Sequence, residues 1–426
     1  MILTKLRLRA HHWALLICLS VATALLAENE ASPLDEIRAA AEANRYILAY
    51  DGDVFAGPGW DKMITEGRSA DFFLIGEEHG IAENPRLVAQ LFTELANHGY
   101  TKLAIEISPP MATVVDSTLR ENGLDGLRQL FSQSGGEPAF FGMKEEAELL
   151  AAVRRAVPAN EPALWGTDYE VASDRILLAE LERADPPDQA RAELDELVAA
   201  SRAAWDKYDD TGSPQYIFSF SGDPALVTAV RDAWTDPSPW VDSILRTLEE
   251  TLRINKLWVN GDGYNSNVRR GTLMRQNFLA HWQGLDPAQA RPKVMAKYGA
   301  SHLVRGRNMT ETFDLGALLP ELAAIERRRT VSIMVLPGID SMVAVLDPSR
   351  WQYVSAPAKD NYAKGLEPVV DAAYADKFTL IDLAPLRSLV TRRSTGAHPN
   401  LLKTVTGFDY LLVMSGSTPS SELAHD

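Results

Sequence analysis

Phe72-Phe73-Leu74-Ile75-Gly76-Glu77-Glu78-His79 is the stretch from which the fold can be read. Its apolar run stops at a glycine, which describes a buried strand ending where the chain must turn. Asn84-Pro85 then reads as a helix cap with a first-turn proline, and Leu87, Val88, Leu91, Phe92 and Leu95 follow at helical spacing. Further apolar runs at 103–106, 163–168, 294–298, 331–336, 378–381 and 410–414 read as strands separated by helical patterns. That alternation predicts an α/β fold with a mostly parallel central sheet flanked by helices.

Between 176 and 282 the pattern changes to long stretches rich in alanine, leucine and glutamate, broken at Pro186-Pro187, Gly212-Ser213-Pro214, Gly222-Asp223-Pro224 and Pro237-Ser238-Pro239. This segment is expected to be a helical insertion forming a lid or cap. Residues 28–175 and 283–414 would form the two parts of the α/β core, and 415–426 a disordered tail. At the other end, Lys5, Arg7 and Arg9 precede an apolar run at 13–27 that is followed by Glu28-Asn29-Glu30, the pattern of a signal peptide spanning 1–27. The run is shorter than a membrane-spanning helix needs, so the expectation is cleavage and export to the periplasm or beyond, with no stable membrane span left.

Cys18, the single cysteine, lies inside that leader. The mature chain would therefore have neither disulfides nor a thiolate to use as ligand or nucleophile. The formal net charge of −16 becomes more negative once the leader cations are removed, which argues against nucleic acid and anionic membranes as partners. A small-molecule or peptide substrate is the expected partner.

The tetrapeptide Gly76-Glu77-Glu78-His79 has a counterpart of the same form in Gly299-Ala300-Ser301-His302, also at the end of a strand pattern. In an open parallel sheet, ligands bind beyond the carboxyl ends of the strands. The residues at those ends are Glu77, Glu78 and His79, then Glu106, Asp168 and His302. Carboxylates beside imidazoles raise histidine basicity and fix its tautomer, which suits a general base; the same groups suit a divalent cation. Glu106, directly after Leu103-Ala104-Ile105, should be buried and paired. His98 and His281 fall in helical patterns and read as structural. The sequence contains no Gly-x-Ser-x-Gly elbow, phosphate-binding loop, His-Glu-x-x-His pair or dinucleotide fingerprint, and nothing marks Ser301 as an activated nucleophile.

On four short motifs the chain resembles the superfamily that joins the erythromycin esterases, the ChaN-like haem-binding proteins and the TraB/Tiki-type proteins. Leu74-Ile75-Gly76-Glu77-Glu78-His79-Gly80 with Glu83 is similar to the first esterase motif, and Leu103-Ala104-Ile105-Glu106 to the shared second-strand glutamate. Arg270, Met274 and Asn277 match an esterase arginine, methionine and asparagine at the same spacing, and Tyr298-Gly299-Ala300-Ser301-His302 resembles the second histidine motif. Gly166-Thr167-Asp168 is similar to a third-strand signature. Two residues separate glycine from histidine in the first motif, as in the ChaN and Tiki branches, where esterases usually have three.

The resemblance implies an exported hydrolase of an ester, lactone or amide. His79 would be the general base, Glu106 and Glu77 would orient it, and His302 with Arg270 would stabilise the oxyanion. Glu78, Glu83, Asp168 and Asn277 are expected to contact substrate. In a metal-assisted form His79, Glu106 and His302 would hold a divalent ion. The alternative is a ChaN-like extracytoplasmic protein binding haem or a metal, with His79 or His302 as axial ligand.

Overall fold

The computed structural model describes residues 32–132, 135–338, 340–347, 349, 351–358 and 364–423; the leader expected at 1–27 lies outside them. The strands, in chain order, are β1 (Arg45–Tyr50), β2 (Phe55–Ala56), β3 (Phe72–Glu77), β4 (Tyr100–Ile105), β5 (Leu164–Gly166), β6 (Lys293–Gly299), β7 (Thr330–Pro337), β8 (Met342–Asp347), β9 (Gln352–Pro357), β10 (Phe378–Asp382) and β11 (Tyr410–Met414). Every residue of β3 is buried. Phe73 and Ile75 join one apolar layer while Phe72 and Leu74 join the other, so the unbroken apolar run reflects a sheet covered on both faces.

Nine strands form one sheet in the order β2-β1-β10-β11-β7-β3-β6-β4-β5, and β8 and β9 form a separate hairpin. From β11 to β5 all neighbours are parallel. The edge made of β10, β1 and β2 is antiparallel. β3 is flanked by β6 and β7, so Glu77 lies in register with Gly299 on one side and Val335 on the other. The two Gly-x-x-His segments therefore leave the sheet side by side.

The helix Glu83–Ala96 starts two residues earlier than its sequence pattern suggests, without a side-chain cap. Asn84, read as that cap, instead sends its amide to Glu77 Oε2. Between β5 and β6 the described elements are all helical, among them Asp188–Thr211, Pro224–Ala233, Pro239–Val259 and Gly263–Gln283. Their ends fall at the proline and glycine breaks: Gly212 adopts the left-handed conformation (φ 63°) that closes a helix, and the Asp223 and Ser238 side chains cap helices with proline in the first turn.

Residues 415–423, expected as disordered tail, are packed as a strap. Ala82 N donates to Thr418 O, Ser420 N to Gly80 O, Lys144 N to Ser421 O and Leu423 N to Gly142 O. Leu423 is buried. The polar composition that suggests disorder supplies hydroxyls and amides instead: Thr418 and Ser421 each donate through both backbone and side chain to the buried carboxylates of Glu83 and Glu145. No helix among the described residues is long and apolar enough to cross a membrane.

Candidate active site

Close packing brings the two histidine segments together. A Cβ at Gly76 would lie 3.0 Å from Ala300 Cα, and one at Gly299 would lie 2.9 Å from His79 Nε2. The repeated glycine thus lets each strand end pass directly beneath the other's loop. His79 Nδ1 meets Glu77 Oε1 at 2.8 Å, while its Nε2 stands 3.6 Å from Glu106 Oε2, too long for a hydrogen bond. With Nδ1 fixed by a carboxylate, Nε2 is the nitrogen left for chemistry.

Glu106 is the hub. Its Oε2 accepts from Gly299 N at 2.8 Å, and its Oε1 accepts from Arg270 Nη2 at 2.6 Å and lies 3.2 Å from His302 Nε2. Arg270 also grips both oxygens of Asp168 through Nε, at 3.0 and 3.1 Å. His302 Nδ1 is held by Asp314 Oδ2 at 2.7 Å. The ring of His79 lies flat against Phe140, with centroids 3.9 Å apart. Phe140 has φ 66°, a backbone conformation rarely adopted by an aromatic residue.

These groups form the floor of a cavity of about 450 Å³, whose walls include Phe140, Tyr169, Val171, Phe220, Met309, Met334, Leu336, Leu346 and Trp351. Burial disfavours the Glu106 carboxylate, but the charges of His302, Arg270 and His79 outweigh it and hold the group well below the ordinary carboxylate range. Burial likewise pulls down His302, but the Glu106 and Asp314 charges raise it to about 10. The same balance at His79, with Glu77 as the main opposing partner, leaves its pKa raised. At neutral pH the floor therefore carries an imidazolium at His302 and a guanidinium at Arg270 beside a more weakly held proton at His79.

His79, Glu77, Glu78, Glu106, Asp168, Arg270 and His302 all line this one cavity. Two residues expected to touch substrate, Glu83 and Asn277, are not among those lining the cavity. Glu83 is buried against Thr418, and Asn277 donates from Nδ2 to Thr167 O at 2.8 Å, which fixes the loop that carries Asp168. His281 donates from Nε2 to Gly166 O at 2.9 Å and stacks on Trp165, a structural role. The set His79, Glu106 and His302 converges as an ion-pair cluster, and the described residues contain no group of three or more such side chains placed to hold a metal ion. The carboxylate such an ion would require is already occupied by the Arg270 guanidinium, so the donor set does not fit a resident metal. Axial haem ligation needs a free imidazole nitrogen: Nε2 of His302 is engaged with Glu106 Oε1 at 3.2 Å, which leaves only Nε2 of His79 open to such a role.

Asp314, Lys297, Glu146 and Phe140 also belong to the site and escape a reading by strand ends. Lys297 carried a signal, a lone cation inside an apolar strand, and Asp314 another, a capping residue before Leu315. The backbone of Phe140 has no sequence signature.

No family model matches the chain, and no curated protein matches it by sequence. Among solved structures it is similar to a Bacillus cereus protein at 14% identity and TM-score 0.60, covering 92% of this chain and 99% of that one. A succinoglycan biosynthesis protein has 12% identity and TM-score 0.57, with coverages of 92% and 99%. A mutant of the erythromycin esterase EreC in its open conformation has 18% identity and TM-score 0.57, covering 90% of this chain and 99% of that one. The fold is that of an erythromycin esterase. At these identities the erythromycin esterase likeness covers the fold alone, and at that level it matches the resemblance read from the motifs.

Proposed function

We propose that this protein is an exported hydrolase that cleaves an ester, lactone or amide by direct attack of water activated at His79. The observation that carries the reading is the asymmetry of the two imidazoles. Glu77 fixes the Nδ1 of His79 and leaves Nε2 toward the cavity, while His302 is locked as a cation between Asp314 and Glu106. In the attack, Nε2 takes a proton from water as the oxygen bonds to the substrate carbonyl carbon. The carbonyl oxygen gains the negative charge, and the cations at Arg270 and His302 stabilise it. Collapse of the intermediate breaks the bond to the leaving alkoxide or amine, which receives the proton from His79. The products are an acid and an alcohol or amine.

The apolar cavity walls suit an acyl or lactone body, and the helical segment 176–282 contributes Phe220 and Arg270 to the pocket, as a cap over the substrate would. Export rests on the leader pattern at 1–27. The test is a panel of chromogenic esters, lactones and anilides assayed with and without chelator, using wild type and His79→Ala. The variant should fold, as judged by circular dichroism, and lose about 10²–10⁴-fold in kcat. Full turnover by His79→Ala would overturn the assignment.

A further inference from the structure

Beneath His79 lies a set of charges that the hydrolytic steps leave unused. The side chain of Lys297, between Ala296 and Tyr298 in the buried middle of strand β6, is 2% exposed. Its Nζ bridges Glu77 Oε1 at 2.5 Å and Glu146 Oε1 at 2.6 Å. Glu146 projects from the first turn of the helix Lys144–Ala156, and its Oε2 is buried with no hydrogen-bond partner among the described residues.

An ammonium this deeply buried needs a carboxylate beside it, but one is enough to neutralise it. Two are present, so Glu77, Glu146 and Lys297 together hold one surplus negative charge when all are ionised. A buried carboxylate oxygen without a donor is costly to keep for structure alone. The surplus charge lies next to the imidazole, because Glu77 Oε1 contacts both Lys297 Nζ and His79 Nδ1.

We propose that Lys297 and Glu146 are positioning residues for His79: Lys297 fixes the Glu77 carboxylate under Nδ1, and Glu146 supplies the surplus charge that favours the imidazolium formed when His79 takes a proton. The catalytic part of this rests on His79 being the base. The other ionisable groups around the ring are Glu78 beside it and Glu106 across from Nε2, the latter already matched by Arg270 and His302; the uncharged ring of Phe140 covers one face. Glu77 and Glu106 raise the His79 pKa and Lys297 opposes them, after burial has pulled it down. Burial pushes Glu146 up to about 7 against the pull of Lys297, so its charge is present above neutral pH.

The experiment is an NMR titration of the His79 ring nitrogens in the full chain, without substrate, with the resonance assigned by its loss in His79→Gln. Glu146→Gln, which keeps the side-chain shape, should lower the His79 pKa by roughly one unit. The double variant Lys297→Met with Glu146→Gln leaves Glu77 as the single buried charge of the set, and its His79 pKa should return toward the wild-type value. A merely structural pair would not give that reversal. An unchanged pKa in Glu146→Gln overturns the proposal, as does a folded double variant whose pKa falls below that of the single one; if the double variant does not fold, the single one decides. Failure of the hydrolytic reading appears separately, as absence of turnover by the wild type.

Discussion

His79 and His302 are each held at Nδ1 by a carboxylate, yet their second nitrogens meet different surroundings. Nε2 of His302 is drawn into the Glu106 cluster with Arg270, while that of His79 stands clear of a hydrogen bond. The expected outcome is a bell-shaped pH profile for kcat/KM. Activity should rise as His79 loses its proton, at a pH above the 6.5 of an ordinary histidine, and fall as His302 loses its positive charge near pH 10. Stopped-flow or plate-reader rates over a window of about six pH units, from about pH 5 to about pH 11, measure both limbs. Replacing His302 with glutamine should remove the alkaline limb and lower the plateau by about 10²–10³-fold, the usual cost of an oxyanion donor. The convergence of His79, Glu106, Asp168 and His302 was legible because a parallel sheet delivers every strand end to one edge. The partners that set their charge were not, since Asp314 and Glu146 reach the site from helices whose docking no local pattern encodes.

At the scale of elements, the loop after β3 is held from outside by the strap at 415–423 and from beneath by the hairpin strand β8, whose Ala344 N donates to Gly80 O. Gly80 has φ 90°, and a Cβ there would come 2.0 Å from Ala344 O. Neither alanine nor any larger residue fits without moving that backbone. Deleting residues 417–426 should expose Glu83 and Glu145, each losing its hydroxyl and amide donors, at a cost of about 1–3 kcal/mol apiece. The truncated protein should lose turnover more steeply than thermal stability, because the strap borders the His79 loop and not the sheet. Parallel measurements of Tm and kcat distinguish this from simple unfolding; equal activity at the wild-type level would count against a supporting role. The strands from β3 onward in the main sheet were readable as apolar runs, and the helix ends between β5 and β6 as proline and glycine breaks. The strap was not, because hydroxyl-rich sequence reads as solvated chain until buried carboxylates are found opposite it.

Across the whole molecule, the sheet interleaves distant parts of the chain: β6 is inserted between β3 and β4, and β7 covers the other side of β3. Neither 28–290 nor 291–426 can form the central strands alone. Each fragment expressed separately is expected to lack the sigmoidal thermal transition of the full chain by circular dichroism, and a cooperatively folding 28–290 would contradict this. Lys297 and Glu77, which touch in the site, lie 220 residues apart. Such separation makes for slow closure and leaves a long interval in which apolar strands have no neighbours. The strap adds a consequence in the order of biosynthesis. Because it fastens the His79 loop with residues that follow the last strand of the sheet, a nascent chain still holding those residues in the ribosomal tunnel has its histidine made but not yet clamped, and the site is complete only once the strap has emerged.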